Sequence, residues 1–197
     1  MKQSRSLAKI LPLLDRPFFT IPDASGAGVT RHALAYLTKK GVLERIGPGL
    51  YRSAKYQPEV DFEWEQLGLL AASIPEAVIC LISALCYYDL TDQIMREVWI
   101  AIPHRLKSPK RPGIRVIRMR NIDLGKTEIQ IGEFKVRIFD RERCIVDAFR
   151  YLDRETAIKA LRNYLQSTDH KPQLKRLSEY AKALRVDLTP YILAFTT

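Results

Sequence analysis

The stretch Gly28-Val29-Thr30-Arg31-His32-Ala33-Leu34-Ala35-Tyr36-Leu37-Thr38-Lys39-Lys40-Gly41 runs on through Val42 to Ile46 into Gly47-Pro48-Gly49-Leu50-Tyr51-Arg52. Thr30 can cap a helix by accepting a backbone N–H bond, and Gly41 can take the left-handed conformation that ends it. At about 100° per residue, Ala33, Leu34 and Leu37 fall on one face, while Arg31, His32, Ala35, Tyr36 and Lys39 gather on the other. The segment after Gly41 reads as a hairpin turned at Gly47-Pro48-Gly49. A helix with a Gly stop followed by such a hairpin reads as a winged helix-turn-helix. Small Ala35 amid the outward set lets the backbone approach a groove closely, with Arg31, His32 and Lys39 in reach of bases or phosphates. The alternative is a generic three-helix subdomain with a solvated charged face; such faces are common, whereas the linked helix, Gly stop and Gly-Pro-Gly hairpin are less so.

Working outward, Leu7, Ile10, Leu11 and Leu14 recur at helical spacing and predict a first helix over 6–14, closed off by Pro17. The short segment from Ile21 to Ala27, with Gly26 near its end, stands where the other helix of the pair belongs. Ser53 to Val60, containing Pro58, reads as a connector. We therefore place a winged helix-turn-helix domain at residues 1–55 and a second domain at 56–197.

Charge follows the same division. The 197-residue chain carries a formal charge of +10, and residues 1–55 hold ten Lys or Arg against Asp15, Asp23 and Glu44. A second basic patch, Arg105, Lys107, Lys110, Arg111, Arg115, Arg118 and Arg120, lies between Glu97 and Asp123 with no acid between them. Such density favours phosphates through counterion release, with a solubilising surface as the alternative. No apolar run approaches the roughly 20 residues of a membrane span. The start Met1-Lys2-Gln3-Ser4-Arg5 is followed by an apolar run broken by Lys9 and Pro12, so the expectation is a cytoplasmic protein without a signal peptide. Cys80, Cys86 and Cys144 form no metal-type pair and read as reduced, buried thiols.

The second domain reads as α+β: a small, mostly antiparallel sheet flanked by helices. Phe62, Leu67, Leu70 and Ala71 suggest one helix and the apolar run Ala77 to Leu90 another. Strands are expected at 98–102, 114–119, 127–131 and 134–139, the last two turning at Gly132-Glu133. Asp140 can cap a helix bearing Ile145, Val146, Phe149 and Leu152, and further helices are expected at 155–165, 174–184 and 190–194.

Catalytic signals are sparse. His32, His104 and His170 are scattered, and Ser25-Gly26-Ala27-Gly28 lacks the Lys-Ser/Thr of a phosphate loop. The strongest enzymatic pattern is Glu133-Phe134-Lys135 with Asp123 upstream, since a metal-dependent nuclease needs clustered carboxylates and a lysine near the attacking water. A charged hairpin turn beside a solvent-facing lysine explains the same letters. The expectation is no catalytic residue, no metal ligand and no cofactor.

Several landmarks hold together in order: Ser83-Ala84-Leu85, Leu90-Thr91-Asp92-Gln93-Ile94, Val98 to Pro103, Cys144-Ile145-Val146-Asp147-Ala148-Phe149-Arg150-Tyr151, and Ala157 to Leu165. With the Gly-Val-Thr-Arg helix and the Gly-Pro-Gly-Leu-Tyr-Arg wing, this pattern resembles the AbiE-type antitoxin family, the regulator halves of type IV toxin-antitoxin, or abortive-infection, pairs. The resemblance implies a repressor that binds inverted repeats in its own operator and counters a nucleotidyltransferase-like toxin without a stable complex. Double-stranded DNA, bound as a dimer, and that toxin are thus the expected partners. Thr30, Arg31, His32, Ala35, Tyr36 and Lys39 would serve the recognition helix, and Arg45, Pro48, Tyr51 and Arg52 the wing and backbone contacts. The rival functions are a protein-interaction module acting directly on a toxin, a plain regulator without a toxin partner, and the nuclease.

Overall fold

The computed structural model describes residues 2–196, with side-chain surroundings from Leu7 to Phe195. It divides into a first unit that runs to Leu69 and includes Ile131–Phe134, and a second made of Leu70–Gln130 and the chain from Lys135 onward.

The first unit runs α1 (Lys2–Leu14), β1 (Phe19–Thr20), α2 (Ile21–Gly26), α3 (Arg31–Lys39), β2 (Leu43–Gly47) and β3 (Leu50–Ser53), then enters α4 (Phe62–Ala72). Its sheet has the order β1-β3-β2, with Phe19 opposite Tyr51 and Glu44 opposite Arg52. That is the helix, strand, helix, helix, wing order of a winged helix. The α2 segment, short as it is, is built firmly. Thr20 Oγ1 accepts from the Asp23 amide at 3.3 Å while Asp23 Oδ2 accepts from the Thr20 amide at 2.7 Å, a reciprocal capping box. Pro22 opens the helix where its missing N–H costs nothing. Ile10, Leu13, Phe19, Ala24, Val29, Leu34, Leu37, Leu43 and Tyr51 form one core beneath α3.

The second unit is built on a five-stranded sheet of order β6-β5-β4-β8-β7, from β4 (Val78–Ile79), β5 (Val98–Pro103), β6 (Ile114–Met119), β7 (Lys126–Ile131) and β8 (Phe134–Phe139). Helices α5 (Leu81–Tyr87), α6 (Arg141–Tyr151), α7 (Arg154–Gln166), α8 (Leu174–Leu184) and α9 (Thr189–Thr196) accompany it. The architecture is α+β, and this sheet is mixed: β4 pairs antiparallel with β5, whereas β5–β6 and β4–β8 are parallel. The single helix expected over 77–90 is instead strand β4 followed by α5. Cys80 is extended at φ −145° and Leu81 turns to φ 47°, breaking the run. A continuous apolar run cannot by itself distinguish a buried strand from a buried helix.

An ion network ties α6 to the loop after β6. Arg143 and Asp147, 0% and 1% exposed, pair at 2.7 Å, and Arg150 holds the other Asp147 oxygen at 2.7 Å. Arg143 Nη1 also donates to the carbonyls of Asn121 and Leu124 at 2.8 and 2.7 Å. Gly125 sits against this helix at φ +71°, where a Cβ would come within 2.7 Å of Arg143 Cβ.

Candidate nucleic-acid interface

Helix α3 is fixed at both ends. Thr30 Oγ1 accepts from the Ala33 amide at 3.2 Å, and Gly41 leaves the helix at φ +69°. Leu34 and Leu37 anchor the inner face, at 0% and 4% exposure. Arg31, His32, Ala35 and Lys39 are exposed on the outer one. Tyr36 is half-buried against the core, with Lys40 Nζ 5.9 Å from its ring centroid. Thr30 therefore acts by positioning the helix, and Tyr36 reaches the outer face only in part.

On the hairpin, Arg45 and Pro48 are exposed, and Arg45 Nε donates to the Gly47 carbonyl at 3.3 Å beside a register shift in the wing. Tyr51 and Arg52 are placed otherwise. Tyr51 is buried and stacks on Phe19 with centroids 6.0 Å apart. Arg52 pairs with Glu44 at 2.9 Å and with buried Glu65 of α4 at 2.5 Å, and lies 5.2 Å from the Tyr56 ring centroid. Burial lowers the Arg52 pKa, but the two carboxylates outweigh it and raise the group overall. Both residues hold the wing together. Sequence reasoning did not single out Lys9, whose Nζ donates to the Gly28 carbonyl at 3.5 Å just before α3, or exposed Lys40. A cation near a helix start whose first amides lack helical partners suits a phosphate.

The second basic patch is divided by its pairings. Arg105 pairs with Glu76 at 2.5 Å, Arg111 donates to Ser73 Oγ at 2.8 Å, and Arg115 reaches Glu97 at 3.8 Å while lying 4.4 Å from the Trp99 ring centroid. Lys107, Lys110, Arg118 and Arg120 are exposed.

Asp123, Glu133 and Lys135 each have a separate partner. Asp123 pairs with Lys126, Lys135 with Glu128 at 2.8 Å, and Glu133 accepts from the Tyr56 hydroxyl. Burial first, and then the Glu133 carboxylate, push that hydroxyl up to about 12. Among the described residues no group of three His, Cys, Asp or Glu gathers as a metal site. Cys80 and Cys144 are buried, and burial raises both thiols away from the reactive thiolate range. Among the described residues no helix is long and apolar enough to cross a membrane.

The outward cations of α3, the wing and the buried core beneath them all fall inside one matched segment. No curated protein matches the chain. Residues 9–54 match the family described as Transcriptional regulator, AbiEi antitoxin, and it is to the AbiEi-type antitoxin regulators that the winged unit is similar.

Proposed function

We propose that the protein is a cytoplasmic DNA-binding repressor that autoregulates its operon and also serves as the antitoxin of a type IV pair. Two copies would bind an operator with inverted repeats, each seating α3 in the major groove. Arg31, His32 and Lys39 reach base edges or phosphates around the small Ala35, and Arg45 and Pro48 bring the wing to the backbone. The second unit would counter a nucleotidyltransferase-like toxin without forming a stable complex. The observation that carries this reading is the outer face of α3: it is exposed, it holds Arg31, His32 and Lys39 with no acid, and it stands on a capped helix within a winged scaffold.

The test is a gel shift with the protein's own promoter against scrambled DNA of equal length. Promoter DNA should bind more tightly, and binding should weaken steeply with salt. Arg31→Ala should cost about 1 to 3 kcal/mol and relax sequence preference if Arg31 reads a base. Equal binding of promoter and scrambled DNA by the intact protein would sink the repressor reading.

A further inference from the structure

Within the second unit a groove of about 530 Å³ opens at the end of β6 and the end of α8, and none of its lining residues is acidic. Arg118, near the end of β6, and Arg120, at the bend just past it, both line the groove. Neither has an acidic partner among the described residues. Arg150 is held in place by its 2.7 Å bond to Asp147, and its guanidinium lies 4.9 Å from the ring centroid of Tyr151, which stays 39% exposed. Arg185 closes α8 at φ 59°, in the left-handed conformation that usually selects glycine. A long cation thus stands where the backbone favours no side chain. His104 and Arg120 also line an adjoining concavity of about 640 Å³, to which Lys126 and Arg137 contribute. Its acids are engaged, Glu76 by Arg105 and Asp123 by Lys126.

We propose that these concavities form a binding groove for single-stranded nucleic acid, with Arg118, Arg120, Arg150 and Arg185 holding phosphates and Tyr151 stacking a base beside His104. Two cationic hollows in succession suit several phosphates rather than one. An exposed aromatic ring among arginines is what a single strand uses, because its bases present open faces. A duplex hides those faces, and its major groove takes a protruding helix or ribbon rather than a concave wall.

The experiment uses the full-length chain carrying Arg31→Ala and Lys39→Ala, so that the winged unit contributes little. Fluorescence anisotropy is read with labelled mixed-sequence RNA and DNA single strands of about twelve nucleotides, and with the corresponding duplex. Single strands should bind more tightly than duplex, and the RNA and DNA arms show whether the ribose hydroxyl is read. Adding Arg118→Ala, Arg120→Ala and Arg185→Ala should weaken single-strand binding more than tenfold and lower the salt slope by about 2. Tyr151→Ala should cost about tenfold while Tyr151→Phe retains binding. The replaced arginines are exposed, so an unchanged melting temperature and circular dichroism should accompany the loss. Single-strand affinity within twofold of the parent in the triple arginine variant, or duplex binding as tight and lost in parallel, overturns the proposal. The inference stands apart from operator recognition: failure of promoter binding by the unsubstituted chain leaves it intact.

Discussion

Arg45 and Arg52 lie on facing strands of one hairpin, yet only Arg45 points a cation to solvent. Arg52 sits between Glu44 and Glu65, and Glu65 is 6% exposed, so Arg52→Ala leaves a buried carboxylate without its main partner. The expected loss is about 1 to 3 kcal/mol in urea unfolding, whereas Arg45→Ala should stay within about 0.5 kcal/mol and weaken DNA binding instead. Comparable destabilisation by both would contradict these assignments. Asp147 is the more demanding position, because it faces two arginines from inside the core. Asp147→Ala should cost about 3 to 5 kcal/mol, while replacing Arg143 and Asp147 together by apolar residues should cost less than Asp147→Ala alone. A third residue effect is pH-linked. The Thr20 hydroxyl bond, with a smaller contribution from Arg16, holds Asp23 below its ordinary value of 3.8. The folded state thus binds this proton less readily than the unfolded chain, so the associated stability is present above 3.8 and lost as pH falls through the lowered folded value. Acid unfolding should show a shallower low-pH limb in Asp23→Ala; an unchanged limb would remove Asp23 from the account.

Helix α3 shows how far local chemistry reaches. Its Thr30 cap and Gly41 stop are both readable in the chain, because each serves a backbone need within a few residues. Strands β5, β6 and β8 and helix α8 are likewise announced by apolar runs and their punctuation. Pairing partners are not announced. The parallel alignment of Val98 with Ile114 is a long-range match that periodicity does not encode. The same limit applies to Tyr51 and Arg52: their letters suggest a DNA-facing wing, and only the folded chain brings Phe19 and Glu65 to them. The run 77–90 misleads for a related reason, since burial on all sides erases the periodic signal. At this scale Thr30→Ala should destabilise the winged unit by about 1 kcal/mol, with Thr30→Ser largely neutral. Gly41→Ala meets nothing within 4 Å and suffers only its φ of +69°, whereas Gly125→Ala adds the 2.7 Å approach to Arg143. Gly125→Ala should therefore be the more destabilising of the two, and thermal melts that rank them the other way would count against the packing described.

The winged unit draws on distant sequence. Its members Gly68 and Phe134 are so close that a Cβ on Gly68 would lie 2.6 Å from the Phe134 ring, and Phe18 lies 6.2 Å from that ring. A fragment of residues 1–55 lacks Glu65 and Phe134, so it leaves Arg52 and Phe18 without these partners. Point variants of the intact chain are therefore the cleaner way to separate two activities. Arg31 and Lys39 are exposed and far from any packing role, so replacing both by Ala should leave the melting temperature unchanged and reduce the salt slope of operator binding by up to about 2 for each bound copy. In cells, the doubly substituted chain should release its promoter, because the outer face of α3 is lost. It should still protect against the cognate toxin, because the second unit keeps its sheet, its buried Arg143–Asp147 pair and its cationic groove. The readout is promoter-reporter output beside growth under toxin expression, with protein levels matched. Loss of protection together with repression, in a chain that remains folded and abundant, would mean that neutralisation itself passes through the DNA-binding face and that the two activities are one.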